Sequence, residues 1–76
     1  MKKEKDISSS IGKSIRAYRN KKGYSQDKLS KLANMSLHTI AKIESGETPN
    51  PTIETVRRIA SSLDISVDVL INHPKT

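Results

Sequence analysis

The sequence predicts an all-α domain of five short helices, and three observations carry that expectation. Apolar residues recur at helical intervals along the chain, with no stretch of strict alternation. Asp, Ser or Thr stands ahead of each apolar stripe, and these residues cap helix N-termini through a side-chain oxygen. Gly23, Asn34 and Gly46 follow the first three stripes, and Gly and Asn accept the left-handed backbone that ends a helix. With 76 residues the chain builds one compact core. It has no Phe or Trp, so the core falls to Ile, Leu, Val, Ala and Met, with Tyr18 or Tyr24 as the aromatic candidates.

Residues 1–5 (MKKEK) read as a flexible basic N-terminus, residues 6–72 as the domain, and 73–76 as a tail. In the first helix Ile7, Ile11, Ile15 and Tyr18 are spaced 4, 4 and 3 apart, which makes one stripe; Asp6 caps it and Gly23 ends it. Ser25 caps a second helix from about Gln26 to Ala33, with Leu29, Leu32 and Ala33 as its apolar positions. Ser36 caps a third from about Leu37 to Ser45, stopped by Gly46. Two capped helices separated by about three residues read as a helix-turn-helix. After the loop GETPNP, Thr52 caps a fourth helix whose buried stripe is Ile53, Val56, Ile59, Ala60 and Leu63. Asp64 and Ile65 lead to a last short helix capped by Ser66, which holds Val67, Val69, Leu70 and Ile71.

Composition narrows the function. Lys and Arg total 14 against 8 Asp and Glu, a formal charge of +6. A small domain this basic is a candidate for nucleic acid or for an anionic membrane surface. The absence of cysteine excludes disulfides, thiolate metal sites and Cys nucleophiles. No apolar run approaches the roughly 18–20 residues of a membrane span, and MKKEKDISSS lacks the apolar centre of a signal peptide. A cytoplasmic protein is expected. His38 and His73 are not spaced as metal ligands, and there is no Gly-rich phosphate loop. Ser10–Lys13 and Ser25–Lys28 fit Ser-x-x-Lys without the motifs that accompany its catalytic use. No enzymatic activity, metal or cofactor is expected.

The third helix presents two faces. Each residue advances the side chain by about 100°. With Ile40 pointing at the core, Ile43 lies about 60° away and stays inside, while His38 and Lys42 fall about 160° away. The outward ridge is therefore His38 and Lys42 with Ser45 nearby, extended at its start by Ser36 and Leu37. A major groove admits one helix and offers acceptors, donors and the thymine methyl. Lys42 suits guanine O6 and N7, His38 a donor or an acceptor, and Leu37 the thymine methyl. Glu44 falls about 40° from Ile40, on the inner side. A buried carboxylate needs a cation or several donors; Arg19, one turn after Ile15, is the expected partner.

The stretch from Ile11 to Ile71 resembles the phage repressor and Cro type of helix-turn-helix, the XRE family. The matching segments are IGKSIRAYRNKKGYSQDKLSKLANMS, TIAKIESG and NPTIETVRRIASSLDISVDVL. The resemblance implies a lambda-repressor-like fold of five helices that binds double-stranded DNA with helices 2 and 3. By resemblance Gln26 binds a phosphate at the start of helix 2, and Ser36, Leu37, His38 and Lys42 match base-contacting positions. Thr39, Ser45 and the backbone near Glu47 and Asn50 match phosphate contacts, and Arg19 and Glu44 a frequent internal ion pair. The chain departs from the family in Lys28 for a capping Glu, Ser30 for a small apolar residue, and Asn34 for the turn Gly. It departs further in Leu37 for a polar base reader, Glu47 for a common cation, and Pro49, which has no N–H to offer a phosphate.

Val67, Val69, Leu70 and Ile71 cannot all face one small core, and Val69 stands where the family often has a polar residue. A homodimer through Val67, Val69 and Ile71 is expected, with help from helix 4. Such a dimer reads a pseudo-palindrome with half-sites about 34–36 Å apart. The expected function is a transcription regulator, a repressor. The alternative is an antitoxin or restriction–modification controller of the same fold, which also binds a protein partner such as a toxin, or its own operator. Polar readers are few, so part of the specificity is expected from DNA shape.

Overall fold

A computed structural model of the chain describes residues 7–72, with side chains from residue 11 onward. The expectations for residues 1–5, the Asp6 cap, the Ile7 side chain and the tail 73–76 lie outside the described residues. Among the described residues there are five helices and no strand: α1 (Ile7–Lys21), α2 (Gln26–Ala33), α3 (Leu37–Ser45), α4 (Ile53–Ser62) and α5 (Val67–Ile71).

The helices begin where an oxygen can cap them. Ser25 Oγ accepts from the Lys28 N–H at 3.0 Å and Ser36 Oγ from the Thr39 N–H at 3.1 Å. Thr52 Oγ1 accepts from the Thr55 N–H at 3.2 Å and Ser66 Oγ from the Val69 N–H at 3.1 Å. Each bond satisfies a backbone donor that the first turn leaves without an intrahelical partner. The α2–α3 turn rests on Asn34, whose φ of 58° lies in the left-handed region. That rotation lets Asn34 N–H reach Lys31 O and Met35 N–H reach Ser30 O, closing α2. Asp64 takes the same conformation (φ 59°) after α4, and Ile65 N–H then bonds Ala60 O at 3.0 Å. The sequence reading left this second turn undefined. Asp accepts it because its side chain is short and polar.

All five helices contribute to one core: Ile15 from α1, Leu29 from α2, Ile40 and Ile43 from α3, Ile59 from α4 and Leu70 from α5 are buried. Two residues depart from the expected stripes. Ile53 is 63% exposed instead of buried. It is the first residue of α4, and helical side chains lean toward the N-terminus, which carries this one past the core. Leu32 is exposed as well. It lies about 60° from Leu29 on the side away from Ser30 and Ala33, the other buried positions of α2.

Two polar devices fix α1. Ser14 is fully buried and its Oγ donates to Leu70 O at 2.7 Å, tying α1 to α5. Lys22 Nζ donates to Asp64 Oδ2 at 3.0 Å, which joins the end of α1 to the α4–α5 link; that hydrogen bond raises the Lys22 pKa above its ordinary value. On the side facing α3, a methyl at Gly12 would lie 2.5 Å from Ile43 O and 2.8 Å from Glu44 O. Only a residue without a side chain lets α1 approach the last turn of α3 this closely.

Candidate nucleic-acid interface

The close approach at Gly12 sets the geometry of the site. Gly12, Arg16 and Arg19 are four and three residues apart on α1, so they share one helix face, and that face meets the end of α3. Glu44 sits there with its side chain 1% exposed. Arg19 clamps it with two bonds, Nε to Oε2 at 2.7 Å and Nη2 to Oε1 at 3.0 Å. The side-on pair matches the guanidinium fork to the carboxylate. Arg19 Nη1 also donates to Tyr24 O at 2.7 Å, which brings the α1–α2 turn into the same network. Hydrogen bonding to Glu44 raises the Arg19 pKa; burial opposes the rise and charge attraction adds to it.

Gln26 and Arg16 complete the cluster. Gln26, the first residue of α2, donates from Nε2 to Glu44 Oε1 at 3.1 Å. Arg16 Nε lies 3.7 Å from the same oxygen. The sequence pointed to Arg19 and Glu44 as partners and to Gln26 as a separate phosphate ligand; the structure brings all three together. It adds Arg16, which sequence reasoning missed although it stands one turn before Arg19. The sequence also gave no role to Gly12, whose place inside a helical pattern was itself a signal, since Gly costs up to about 1 kcal/mol there relative to Ala.

The outer face of α3 carries the remaining candidates. Ser36, Leu37 and His38 are exposed and Lys42 is half-buried. Leu37 is 45% exposed, with its apolar surface toward solvent. Ile40, Ile43 and Glu44 on the inner face are buried. Two candidate phosphate ligands are engaged locally. Thr39 Oγ1 and Ser36 Oγ lie 2.9 Å apart in a hydrogen bond. Ser45 Oγ donates to Lys42 O and accepts from Glu47 N–H, which stabilises the turn after α3. Asn50 is exposed in the α3–α4 loop and lines an apolar groove together with Pro49 and Pro51.

That groove runs along the α4–α5 side. It has a volume of about 320 Å³ and is lined by Ile11, Pro49, Asn50, Pro51, Ile53, Val56 and Ile71. Val69 and Ile71 are exposed, whereas Val67 is half-buried against the core. Ile53 and Ile71 are the exposed apolar residues that line this groove, while Val69 is exposed elsewhere on α5. Among the described residues no group of His, Asp or Glu could hold a metal ion, and no helix is long and apolar enough to cross a membrane.

Comparison with known proteins places this geometry. Residues 15–70 match the helix-turn-helix family. The chain belongs to that family. Its relatives include the HTH-type transcriptional regulator SinR of Bacillus licheniformis, 36% identical over 62 residues that cover 82% of this chain and 56% of SinR. The chain thus spans about half the length of this curated relative. Among solved structures, the helix-turn-helix chain is similar to SinR, a regulator of biofilm formation, in complex with DNA. The TM-score is 0.77 at 34% identity, covering 80% of this chain and 97% of that one. It is also similar to the restriction–modification controller protein C.AhdI from Aeromonas hydrophila, with TM-score 0.79 at 27% identity, covering 83% of this chain and 94% of that one.

Proposed function

We propose that this domain is a sequence-specific, double-stranded DNA-binding transcription regulator that acts as a repressor in the cytoplasm, with α3 in the major groove. The observation that carries the reading is the division of α3. Its inner face is locked by Ile40, Ile43 and the Arg19–Glu44 pair, and its outer face offers Ser36, Leu37, His38 and Lys42. A rigidly seated helix whose outer residues Leu37 and His38 are exposed, on a chain of formal charge +6, suits the groove sterically and electrostatically. The likeness to SinR, solved with DNA, supports the same reading. In it Ser36, His38 and Lys42 read base edges and Leu37 contacts a thymine methyl; Gln26, Thr39 and Asn50 hold phosphates, and Ser45 does so when its hydroxyl exchanges Lys42 O for a phosphate oxygen. No cofactor or metal takes part, and the protein is not an enzyme.

The repressor works as a homodimer in this reading. Ile53 and Ile71 present apolar side chains along the Pro49–Pro51 groove, and Val69 is exposed on the same helix as Ile71; a second copy seated on this surface removes apolar side chains from water. A second reading is a controller of a restriction–modification system that binds its own operator, favoured by the likeness to C.AhdI.

Selection of bound duplexes from a random pool, followed by titration of variants, tests the proposal. Lys42→Ala is expected to cost about 1–3 kcal/mol and to relax preference at one base pair. Gln26→Ala is expected to weaken binding to all sequences alike. Unchanged sequence preference in Lys42→Ala would overturn the assigned readout face.

A further inference from the structure

The Glu44 cluster contains more positive charge than Glu44 needs. Arg19 already matches the carboxylate with two short bonds in a buried setting. Arg16 stands beside it as a second cation. Its Nε is 3.7 Å from Glu44 Oε1, beyond the 2.7–2.9 Å typical of a charge-assisted N–H···O bond. Arg16 is therefore a charge neighbour of Glu44 and not a hydrogen-bonded partner. Among the described residues it has no hydrogen bond, and its side chain is 58% exposed. Asp27, the acid in the first turn of α2, is occupied by Lys31 at 2.9 Å.

We propose that Arg16 is a second ligand for the DNA backbone, forming with Gln26 a two-residue phosphate clamp gathered on Glu44 Oε1. The proposal rests on the DNA-binding reading above and adds to it a residue and an arrangement. Arg16 Nε and Gln26 Nε2 both sit close to the same carboxylate oxygen, so one phosphate group spans the donors of both. The Gln26 amide carries two N–H groups. One is held by Glu44, which fixes the amide plane and leaves the second free for a phosphate. The guanidinium brings an uncompensated charge, and its donors remain unspent. Gln26 also opens α2, whose first N–H groups and positive dipole end favour an anion at the same place. Glu44 thus acts as a positioning residue: it keeps both ligands near their bound geometry and lowers the rotamer entropy lost on docking.

The test measures binding of the whole chain to its selected operator duplex and to an unrelated duplex between about 50 and 200 mM salt. Arg16→Gln, Arg16→Lys and Arg58→Gln are compared with the unaltered chain, together with their melting temperatures. Arg58 pairs with Glu54 on the surface of α4, so its loss controls for charge alone. Arg16→Gln is expected to weaken both duplexes alike, by about tenfold. It is also expected to reduce the steepness of log K against log salt by about 0.9, the value for one lost phosphate contact. Arg16→Lys restores the salt slope, and Arg58→Gln leaves slope and affinity near those of the unaltered chain. A lower melting temperature for Arg16→Gln with an unchanged slope makes Arg16 a structural partner of Glu44 and overturns the clamp. A change of base preference also overturns it, in favour of base readout. If the unaltered chain itself binds neither duplex, the DNA-binding reading falls first; if it binds and Arg16→Gln binds equally well, only the clamp falls.

Discussion

The α1–α3 junction and the α4–α5 side of the domain close in opposite ways. At the junction, bare backbone at Gly12 meets two carbonyl oxygens, and one buried carboxylate takes bonds from Arg19 and Gln26 with Arg16 alongside. On the α4–α5 side, Ile53 and Ile71 remain in water along an apolar groove, and Val69 is exposed on α5. The first region is polar, its buried carboxylate fully bonded and only Arg16 left unspent at the rim; the second is apolar and unfinished. A buried charge whose hydrogen bonds are complete gains nothing from another partner, and loses heavily when one is removed. Exposed apolar surface behaves in reverse, costing little to alter in the monomer and gaining when covered. The domain thus carries specificity of shape on one side and capacity for association on the other.

The sharpest way to break this comparison is to remove the carboxylate. Glu44→Ala leaves the partly buried Arg19 without its partner and is expected to destabilise the fold by about 3 kcal/mol. Glu47→Ala, an exposed acid three residues on, is expected to stay within about 0.5 kcal/mol. Chemical denaturation of the two variants decides it, and equal midpoints would remove the special status of the junction. Gly12→Ala is expected to cost about 1–3 kcal/mol by overpacking. Ala gains up to about 1 kcal/mol in helix propensity, but the obstructing atoms are backbone oxygens at 2.5 and 2.8 Å that cannot turn aside. A melting temperature at or above that of the unaltered chain would show that α1 shifts freely.

The smallest effect on stability is expected on the other side. Ile71→Ser, at a residue 47% exposed, is expected to change monomer stability by no more than about 0.5 kcal/mol. It is expected to shift self-association toward monomer in sedimentation at high micromolar concentration. A large loss of monomer stability with association unchanged would mean that Ile71 serves the core.

The sequence revealed most where the cause was local. The caps at Ser25, Ser36, Thr52 and Ser66 and the turns at Gly23, Asn34 and Gly46 depend on residues within a few positions, and the helices begin and end there. Glu44 was readable as buried because the helix period alone turns it inward. Arg16, the Gln26–Glu44 bond, Gly12 and Ser14 were not readable in this way. Each depends on how one helix is rotated against another, which no single stripe encodes. Ile53 and Leu32 went wrong for a related reason. An apolar residue at helical spacing marks a face, but the end of that helix or its margin decides whether the core reaches it.

The close approach at Gly12 has a consequence for engineering. The seat of α3 is set by backbone oxygens of its last turn, at Ile43 and Glu44, whereas Leu37 and His38 lie on its first turn and face outward. Mounting and outer surface are therefore separable along the helix. A segment transplanted from another domain keeps its seat if it retains Ile40 and the Ile43–Glu44 pair, whatever it displays on the outer side of its opening turn. The scaffold then works as a fixed socket for an interchangeable helix.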